Sequence, residues 1–217
     1  MLTVEANELV TKVTGNAPMG MYFREFWLPF LFSYELEKDG PPERIRLLGE
    51  DLIAFRNTDG NVGLIGEHCP HRYASLFFGR NEEGGMACVY HGWKFDIEGN
   101  CTDIPNTPEG AIFKNKIQTF SAYPAIDRGG LIWVYMGPSG LVPEFPDMEW
   151  TNVPDAHRYV SKIFIEGNYL QTAEGDIDSS HVGFLHSTVS HSKGKNSTVQ
   201  IGGPARPQLS EDKAPTW

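Results

Sequence analysis

The sequence predicts an α+β protein in which a small antiparallel β-domain precedes a second domain that begins with a strand and a helix. Strand-like segments separated by regular turns fill residues 41–140, which is typical of a small all-β domain. Proline and glycine punctuate the chain between Gly137 and Pro146. The apolar pattern then changes, because an alternating segment at 159–165 is followed by a helical one from about Tyr169.

We divide the chain accordingly into three parts. Residues 1–40 are an N-terminal helix and lead-in segment, 41–140 are the β-domain, and 141–217 are the first part of the second domain. Apolar residues at helical spacing predict a helix over about 5–13. The apolar run 26–32 contains proline and is too short to cross a bilayer, so we expect it to face the core.

The β-domain is predicted to be built from hairpins. Asp59-Gly60-Asn61 is a hairpin turn signal between two alternating or apolar runs, and Glu98-Gly99-Asn100 is a second one. The predicted strands are 44–48, 52–55, 62–65, 86–89, 93–97, 101–102, 117–120 and 131–135. Loops that carry polar and sulfur side chains follow two of these strands, and we expect the hairpin tips to bring those side chains together.

Each of these two loops offers one thiol and one imidazole. The first loop contains Cys69 and His71, and the second contains Cys88 and His91. Zinc fingers place two cysteines together and then two histidines together, whereas here the two types alternate. Alternation lets two cysteines bind one iron and two histidines the other, which is the Rieske arrangement of a 2Fe-2S centre. A zinc knuckle remains the alternative.

Neighbours of the four donors have more ordinary interpretations. Trp93 is predicted to pack the second loop, although side chains such as Arg72 and Tyr90 can also tune a cluster through burial and hydrogen bonds. Cys101, the third cysteine, is interpreted as a small buried apolar side chain.

A second constellation follows the predicted helix. Asp178, His181 and His186 form the pattern D-x-x-H-x4-H. Two imidazoles and a carboxylate with open positions are the facial triad of non-haem Fe(II) oxygenases. Asp178 and His181 are three residues apart, so we expect them to share a helix face. The spacing to His186 requires a helix distortion or a helix end near Gly183. The alternative is that these are ordinary polar residues.

The net charge, the cysteine count and the N-terminal sequence limit the binding partners and the cellular compartment that we expect. The formal net charge of −10 argues against nucleic acid or an anionic membrane as the partner. Three cysteines leave one after two are used as ligands, which suits a reducing cytoplasm better than a disulfide framework. The N-terminus has no basic region followed by a long apolar run, so no signal peptide is predicted.

The two motifs together, with Pro18-Met19-Gly20 near the N-terminus, resemble the large subunits of Rieske non-haem iron ring-hydroxylating oxygenases, most closely the phthalate dioxygenase group. The resemblance implies a Rieske domain followed by the start of an α+β catalytic domain of the helix-grip type. It implies that His181 and His186 bind the mononuclear iron. Asp178 would join His181 to a cluster histidine of a neighbouring subunit, and Asn168 would lie near the iron.

The same resemblance implies a reaction and partners. The chain would be the oxygenase component of an enzyme that uses O2 to hydroxylate an aromatic carboxylate, with electrons from a separate NAD(P)H-dependent reductase. A homotrimer or a multiple of it is implied. The family's third iron ligand is an aspartate further downstream, so we expect either a C-terminally truncated chain, for which activity alone is not expected, or one that cannot hold iron as the family does. The alternatives are a Rieske electron carrier without oxygen chemistry and a related O-demethylase or mono-oxygenase.

Overall fold

The structure is a computed structural model that describes residues 2–107 and 113–181. The chain divides into two compact units, residues 1–162 and residues 163–217. Within the described ranges, no helix combines the length and the apolar character that crossing a membrane requires.

Three α-helices are described. The first unit contains α1 (Val4–Thr11) and α2 (Pro18–Phe23), and the second contains α3 (Tyr169–Ile177). The Thr3 hydroxyl accepts a hydrogen bond from the backbone N–H of Ala6 and so caps α1. The helix predicted over 5–13 is confirmed with a slightly earlier start and end.

Short antiparallel strands build the first unit. Their bounds are β1 (Trp27–Phe32), β2 (Glu43–Leu47), β3 (Glu50–Arg56), β4 (Val62–Gly66), β5 (Arg80–Glu82), β6 (Gly85–Ala87), β7 (Lys94–Phe95), β8 (Cys101–Asp103), β9 (Ala122–Tyr123), β10 (Ala125–Arg128) and β11 (Leu131–Tyr135). They form three sheets with the orders β1-β11-β10, β2-β3-β4-β9 and β5-β6-β7-β8. The predicted antiparallel β-domain is confirmed.

The hairpin turn between β3 and β4 lies where its sequence predicts. The side-chain oxygen of Asn57 accepts hydrogen bonds from the backbone N–H groups of Asp59 and Asn61, at 3.1 and 2.9 Å. Gly60 has a φ of +88°, a conformation that L side chains rarely adopt. Asparagine and glycine at these positions therefore select this turn over a continued strand.

Two predicted strands differ from the structure. Residues 117–120 make only one isolated bridge, between Gln118 and Asn100, so they are wrongly predicted as a strand. Residues 159–165 are not a strand either, and Tyr159 and Phe164 expose 91% and 86% of their surfaces. A strand is defined by pairing, and no described strand pairs with this alternating segment.

Two buried clusters form the core of the first unit. One lies between the sheets β1-β11-β10 and β2-β3-β4-β9, and it includes Leu52, Leu64 and Val134. The other lies beneath the two ligand loops, and its buried members are Ile53, Phe55, Ile65, Cys69, Leu76, Met86, Cys88, Phe95, Cys101 and Ile104. The two cysteines predicted to be ligands are thus members of the same buried cluster.

A partly buried charge network joins α2 to the sheet. The Glu50 carboxylate lies 2.6 Å from the Arg24 guanidinium and accepts hydrogen bonds from the hydroxyls of Tyr123 and Ser121. Burial alone would raise the pKa of Glu50, but the hydrogen bonds from Tyr123, Arg24 and Ser121 outweigh it and hold the pKa below its usual value. The carboxylate is therefore more stable as an anion in the folded chain than in the unfolded one.

Replacing Glu50 with glutamine is expected to lower the free energy of unfolding by about 2 kcal/mol at pH 7, because Arg24 loses its charged acceptor. The folded pKa of Glu50 lies below the usual 4.5, so its stabilisation is present above that pH and is lost as pH falls through the folded pKa. Urea unfolding at pH 7 and pH 4 should show the difference shrinking in acid. Glu43→Gln, at an exposed position on β2, is the control. A loss of the same size at both pH values would contradict the prediction.

Candidate metal centre

Two loops of matching geometry carry the four predicted donors. The backbone carbonyl of Cys69 accepts a hydrogen bond from the N–H of Tyr73, and that of Cys88 accepts one from Gly92, each at 2.9 Å. The N–H of each cysteine donates to the carbonyl of the fifth residue along, Ala74 or Trp93. The second loop interrupts the strand predicted over 86–89, because the N–H of Cys88 bonds within the loop and β6 ends one residue earlier.

The turning residue of each loop has a left-handed backbone. Tyr73 has a φ of +60° and Gly92 a φ of +75°. A non-glycine residue with this backbone carries a strain of order 1 kcal/mol or more. Parallel stacking of Tyr73 on His68, with 4.1 Å between ring centroids, accompanies that conformation. The two loops therefore have the same left-handed turn residue position, which is tyrosine in the first loop and glycine in the second.

The sulfur donors lie together beneath the loops. Cys69 and Cys88 are both 2% exposed, belong to the same buried cluster, and are not in a disulfide. Burial, and then the nearby Cys88 thiol, raise the pKa of Cys69 to about 11, although backbone N–H groups of His71 and Arg72 directed at the sulfur oppose the rise. Such N–H groups are suited to a thiolate that is bound to a metal.

The nitrogen donors also lie together. The rings of His71 and His91 have centroids 4.5 Å apart. Burial, followed by the neighbouring His91 and Arg72, lowers the pKa of His71, which favours the neutral imidazole that binds metals. The Nδ1 atom of His71 is buried and has no hydrogen-bond partner in the structure. A buried orphan nitrogen beside a second imidazole is the arrangement that a metal ion would satisfy.

The donors thus form a sulfur pair and a nitrogen pair rather than one four-fold cage. In the described part of the chain, no three His, Cys, Asp or Glu side chains converge closely enough to hold a single metal ion. Structural zinc needs all four donors around one ion, whereas a Rieske cluster takes two cysteines on one iron and two histidines on the other. The donor geometry fits the cluster better than it fits zinc.

Gly92 lies against the turn that follows β8. A Cβ atom added at Gly92 would lie 2.7 Å from Cγ of Pro105, so this glycine is required by close approach as well as by its backbone. Gly60 also has a positive φ, but nothing lies within 4 Å of a Cβ added there. A comparison of substitutions at the two glycines therefore separates the cost of backbone strain from the cost of the contact with Pro105.

We expect Gly92→Ala to lower the free energy of unfolding by about 2–4 kcal/mol, from backbone strain plus displacement of Pro105. The matched control Gly60→Ala should cost only the strain, about 1–2 kcal/mol. Chemical denaturation of both variants measures the difference. Equal losses in the two variants would show that the contact with Pro105 has no energetic weight.

Trp93 contributes more than the predicted loop packing. Its ring stacks on His71 with 4.4 Å between centroids and 4° between planes. Its indole N–H donates to the side-chain oxygen of Asn106 at 2.9 Å. The sequence shows only that an aromatic residue follows His91 and Gly92. Asn106 was not predicted at all, because nothing local marks a surface asparagine as the partner of a residue in another loop.

Part of the second predicted constellation is described. α3 ends at Ile177, and Asp178 is its C-cap residue with an extended backbone, so Asp178 and His181 do not share a helix face as predicted. The reason is local: one Asp178 oxygen accepts from the backbone N–H and the hydroxyl of Ser180, which favours a turn over another helical turn. The side chain of Asn168 caps the other end of α3.

The turn nevertheless brings Asp178 and His181 together. The second carboxylate oxygen of Asp178 lies 3.4 Å from Nδ1 of His181. Hydrogen bonds from Ser180, side chain first and then backbone, hold the pKa of Asp178 below its usual value. His186, and Gly183 with the helix distortion expected near it, lie outside the described residues.

Comparison with known families agrees with this geometry. A family described as "Rieske [2Fe-2S] domain" matches residues 26–122, and one described as "LigXa C-terminal domain like" matches residues 134–217. The four predicted donors therefore lie within the part of the chain that matches the Rieske domain.

Known relatives extend the match to both parts of the chain. The 3-chlorobenzoate-3,4-dioxygenase oxygenase subunit of Comamonas testosteroni is 46% identical over 86% of this chain and 43% of its own length. The phthalate 4,5-dioxygenase oxygenase subunit of Pseudomonas putida is 44% identical over 87% of this chain and 43% of its own. The chain belongs to the Rieske non-haem iron oxygenases, and it spans less than half the length of these relatives.

Solved structures show the same fold. Dicamba monooxygenase bound to 3,6-dichlorosalicylic acid superposes with a TM-score of 0.65 at 29% identity, over 75% of this chain and 47% of that one. A second structure of dicamba monooxygenase contains non-haem iron. It is 30% identical to this chain, with a TM-score of 0.51 over 58% of this chain and 38% of that one. The family thus carries both a [2Fe-2S] cluster and a mononuclear iron, and the predicted α+β class is confirmed.

Proposed function

We propose that Cys69 and Cys88 bind one iron of a Rieske [2Fe-2S] cluster and that His71 and His91 bind the other. The observation that carries this proposal is the pairing of the donors, with two neighbouring buried thiols and two adjacent imidazoles on two loops of matching geometry. The unpartnered, buried Nδ1 of His71 supports the same assignment. Residues 41–140 are the proposed Rieske domain, after a lead-in segment at 1–40.

The chain's own residues prepare this site for a cluster. Burial of both thiols excludes water from the sulfur side, and the N–H groups of His71 and Arg72 can donate to a bound thiolate sulfur. The lowered pKa of His71 keeps its ring neutral and able to bind. When bound, the cluster would supply single electrons and the mononuclear iron would activate O2.

We further propose that residues 141–217 begin the catalytic domain, in which His181 and His186 bind the mononuclear iron. Asp178 would then be a positioning carboxylate. It contacts the Nδ1 side of His181, which is the arrangement by which carboxylates orient metal-binding histidines. Its other oxygen is engaged by Ser180, so one residue both ends α3 and holds the imidazole.

The proposed activity is that of an oxygenase component acting on an aromatic carboxylate with O2. The named relatives act on 3-chlorobenzoate and phthalate, and both of these are aromatic carboxylates. Electrons would come from NAD(P)H through a separate reductase. We propose a cytoplasmic location and a homotrimer or a multiple of it. With a formal net charge of −10, nucleic acid is not a proposed partner.

Three other functions are alternatives that experiment can separate. A mono-oxygenase or an O-demethylase would use the same cluster and mononuclear iron. Dicamba monooxygenase, which is named for mono-oxygenation, has the same fold. A Rieske electron carrier would need the cluster alone, and it leaves the Asp178–His181 contact without a purpose. A zinc-stabilised module would require one cage that the described donors do not form.

Metal analysis of the full oxygenase component, purified without oxygen, separates these functions. The proposal predicts cluster iron with acid-labile sulfide, a Rieske EPR signal after reduction, and additional mononuclear iron. Cluster iron without mononuclear iron would favour the carrier. Zinc without iron would overturn the proposal. Product analysis with 3-chlorobenzoate and phthalate, and with a methoxylated benzoate, would then separate dihydroxylation from demethylation.

A further inference from the structure

The second ligand loop contacts the turn that follows β8, and the proposed function assigns no role to that turn. Trp93 lies parallel to the His71 ring at 4.4 Å, and its indole N–H donates to Asn106 at 2.9 Å. Trp93 and His71 belong to different loops, so this stack connects the two loops through the nitrogen side of the site. Asn106 fixes the outer end of the indole.

The turn that carries Asn106 is itself anchored. Ile104 is a buried member of the core beneath the loops, and Pro105 lies so close to Gly92 that a Cβ atom there would be 2.7 Å from the proline ring. Asn106 follows Pro105 directly, and the residue itself is exposed. The indole therefore lies between this turn and the imidazole.

The two histidines differ in how they are held. His71 has a parallel aromatic ring over its face, whereas His91 is tilted by 57° from His71 and lies beside Tyr90, which is 59% exposed. An imidazole can turn about its χ2 bond unless its faces are packed, because that torsion is broad. Trp93 therefore restricts the orientation of His71, and no described ring does the same for His91 by parallel stacking.

We propose that Asn106 is a positioning residue that acts through Trp93: together they fix the orientation of the His71 imidazole and exclude water from it, and so set the reduction potential of the cluster. This inference rests on the proposed function, because it takes His71 to be a cluster ligand. Hydrogen bonding, burial and solvent exposure are the means by which proteins tune such potentials.

The expected direction follows from charge. One-electron reduction adds a negative charge to the cluster, and water beside the cluster stabilises that charge. Releasing the indole from Asn106 admits water to the His71 side, so Asn106→Ala should raise the potential. We expect the equilibrium constant for reduction to rise roughly threefold or more, which is about 30 mV at 59 mV per tenfold for one electron. Variable ring orientation should also broaden the EPR lines.

The experiment is a double-mutant cycle on the anaerobically purified protein with its cluster. Asn106→Ala, Trp93→Phe and the double variant are reduced against mediator dyes, and midpoint potential and EPR line width are recorded. Phenylalanine can stack on His71 but cannot donate to Asn106. If Asn106 acts through Trp93, Asn106→Ala has no further effect in the Trp93→Phe background. Additive shifts, or no shift in Asn106→Ala, would overturn the inference.

Trp27→Phe is the matched control. Trp27 lies on β1 in another sheet, and its indole N–H also donates one hydrogen bond, to the carbonyl of Pro143. The control should leave both readouts unchanged, and a shift equal to that of Trp93→Phe would mean a general loss of structure and overturn the inference. A wild-type protein without a Rieske signal would defeat the proposed function itself, which is a separate outcome from additivity in the cycle.

Discussion

Cys88→Ala is expected to abolish the absorption and EPR signals of the cluster completely. Cys88 supplies one of only two sulfur donors, and alanine leaves its iron with a single protein ligand in a buried site. Loading should also fail when iron and sulfide are supplied to the purified variant, because the missing donor cannot be replaced by water in this core. Iron content, absorption and EPR of reduced samples measure the effect.

Cys101→Ala is the control that this chain provides. Cys101 is buried like Cys88, belongs to the same core cluster and is the third cysteine, and its thiol contacts the carbonyl of Asp103. The two substitutions remove the same atom from the same core, so stability losses measured on the cluster-free chains should be similar. The signal should survive in Cys101→Ala and vanish in Cys88→Ala. A normal Rieske signal in Cys88→Ala would disprove the ligand assignment.

The second large effect is expected at Asp178. In the full oxygenase component, Asp178→Asn should slow transfer of an electron from the reduced cluster to the mononuclear iron by about 10- to 100-fold, the range seen when partners of metal-binding histidines are removed. Asparagine keeps the oxygen that accepts from Ser180, so the end of α3 is preserved. What is lost is the negative charge facing Nδ1 of His181.

Single-turnover kinetics, in which pre-reduced protein meets substrate and O2, measure this transfer as the decay of the reduced-cluster absorbance. Asp176→Asn is the control, since it removes one charge from an exposed position of the same helix. The account expects a near-normal rate in that variant. Unchanged transfer in Asp178→Asn would rule out a role in coupling the centres, while slow transfer in both variants would indicate a general charge effect.

The Rieske domain was predictable from sequence because the pattern that indicates it is local. Four donors lie in two short motifs, and the turn signals at 59–61 and 98–100 placed hairpins on either side of them. The family model then matched residues 26–122. The ligand roles themselves remain proposals, supported by the neighbouring buried thiols and the adjacent imidazoles.

What the sequence did not predict depends on contacts between distant residues or on competition between local structures. The link from Trp93 to Asn106 joins two loops, and periodicity carries no sign of it. Helical spacing placed Asp178 and His181 on one helix face, but the hydrogen bonds from Ser180 to Asp178 end the helix first. The alternating segment 159–165 has the pattern of a strand, yet pairing decides whether a strand forms.

Hyperfine spectroscopy of the reduced cluster, in protein grown with ¹⁵N-labelled histidine, tests the central claim most directly. The account predicts couplings from two histidine nitrogens on the same iron, and the loss of one coupling or of the whole cluster in His71→Ala. Coupling to no histidine, or to only one, would contradict the assignment of His71 and His91 as a nitrogen pair opposite Cys69 and Cys88.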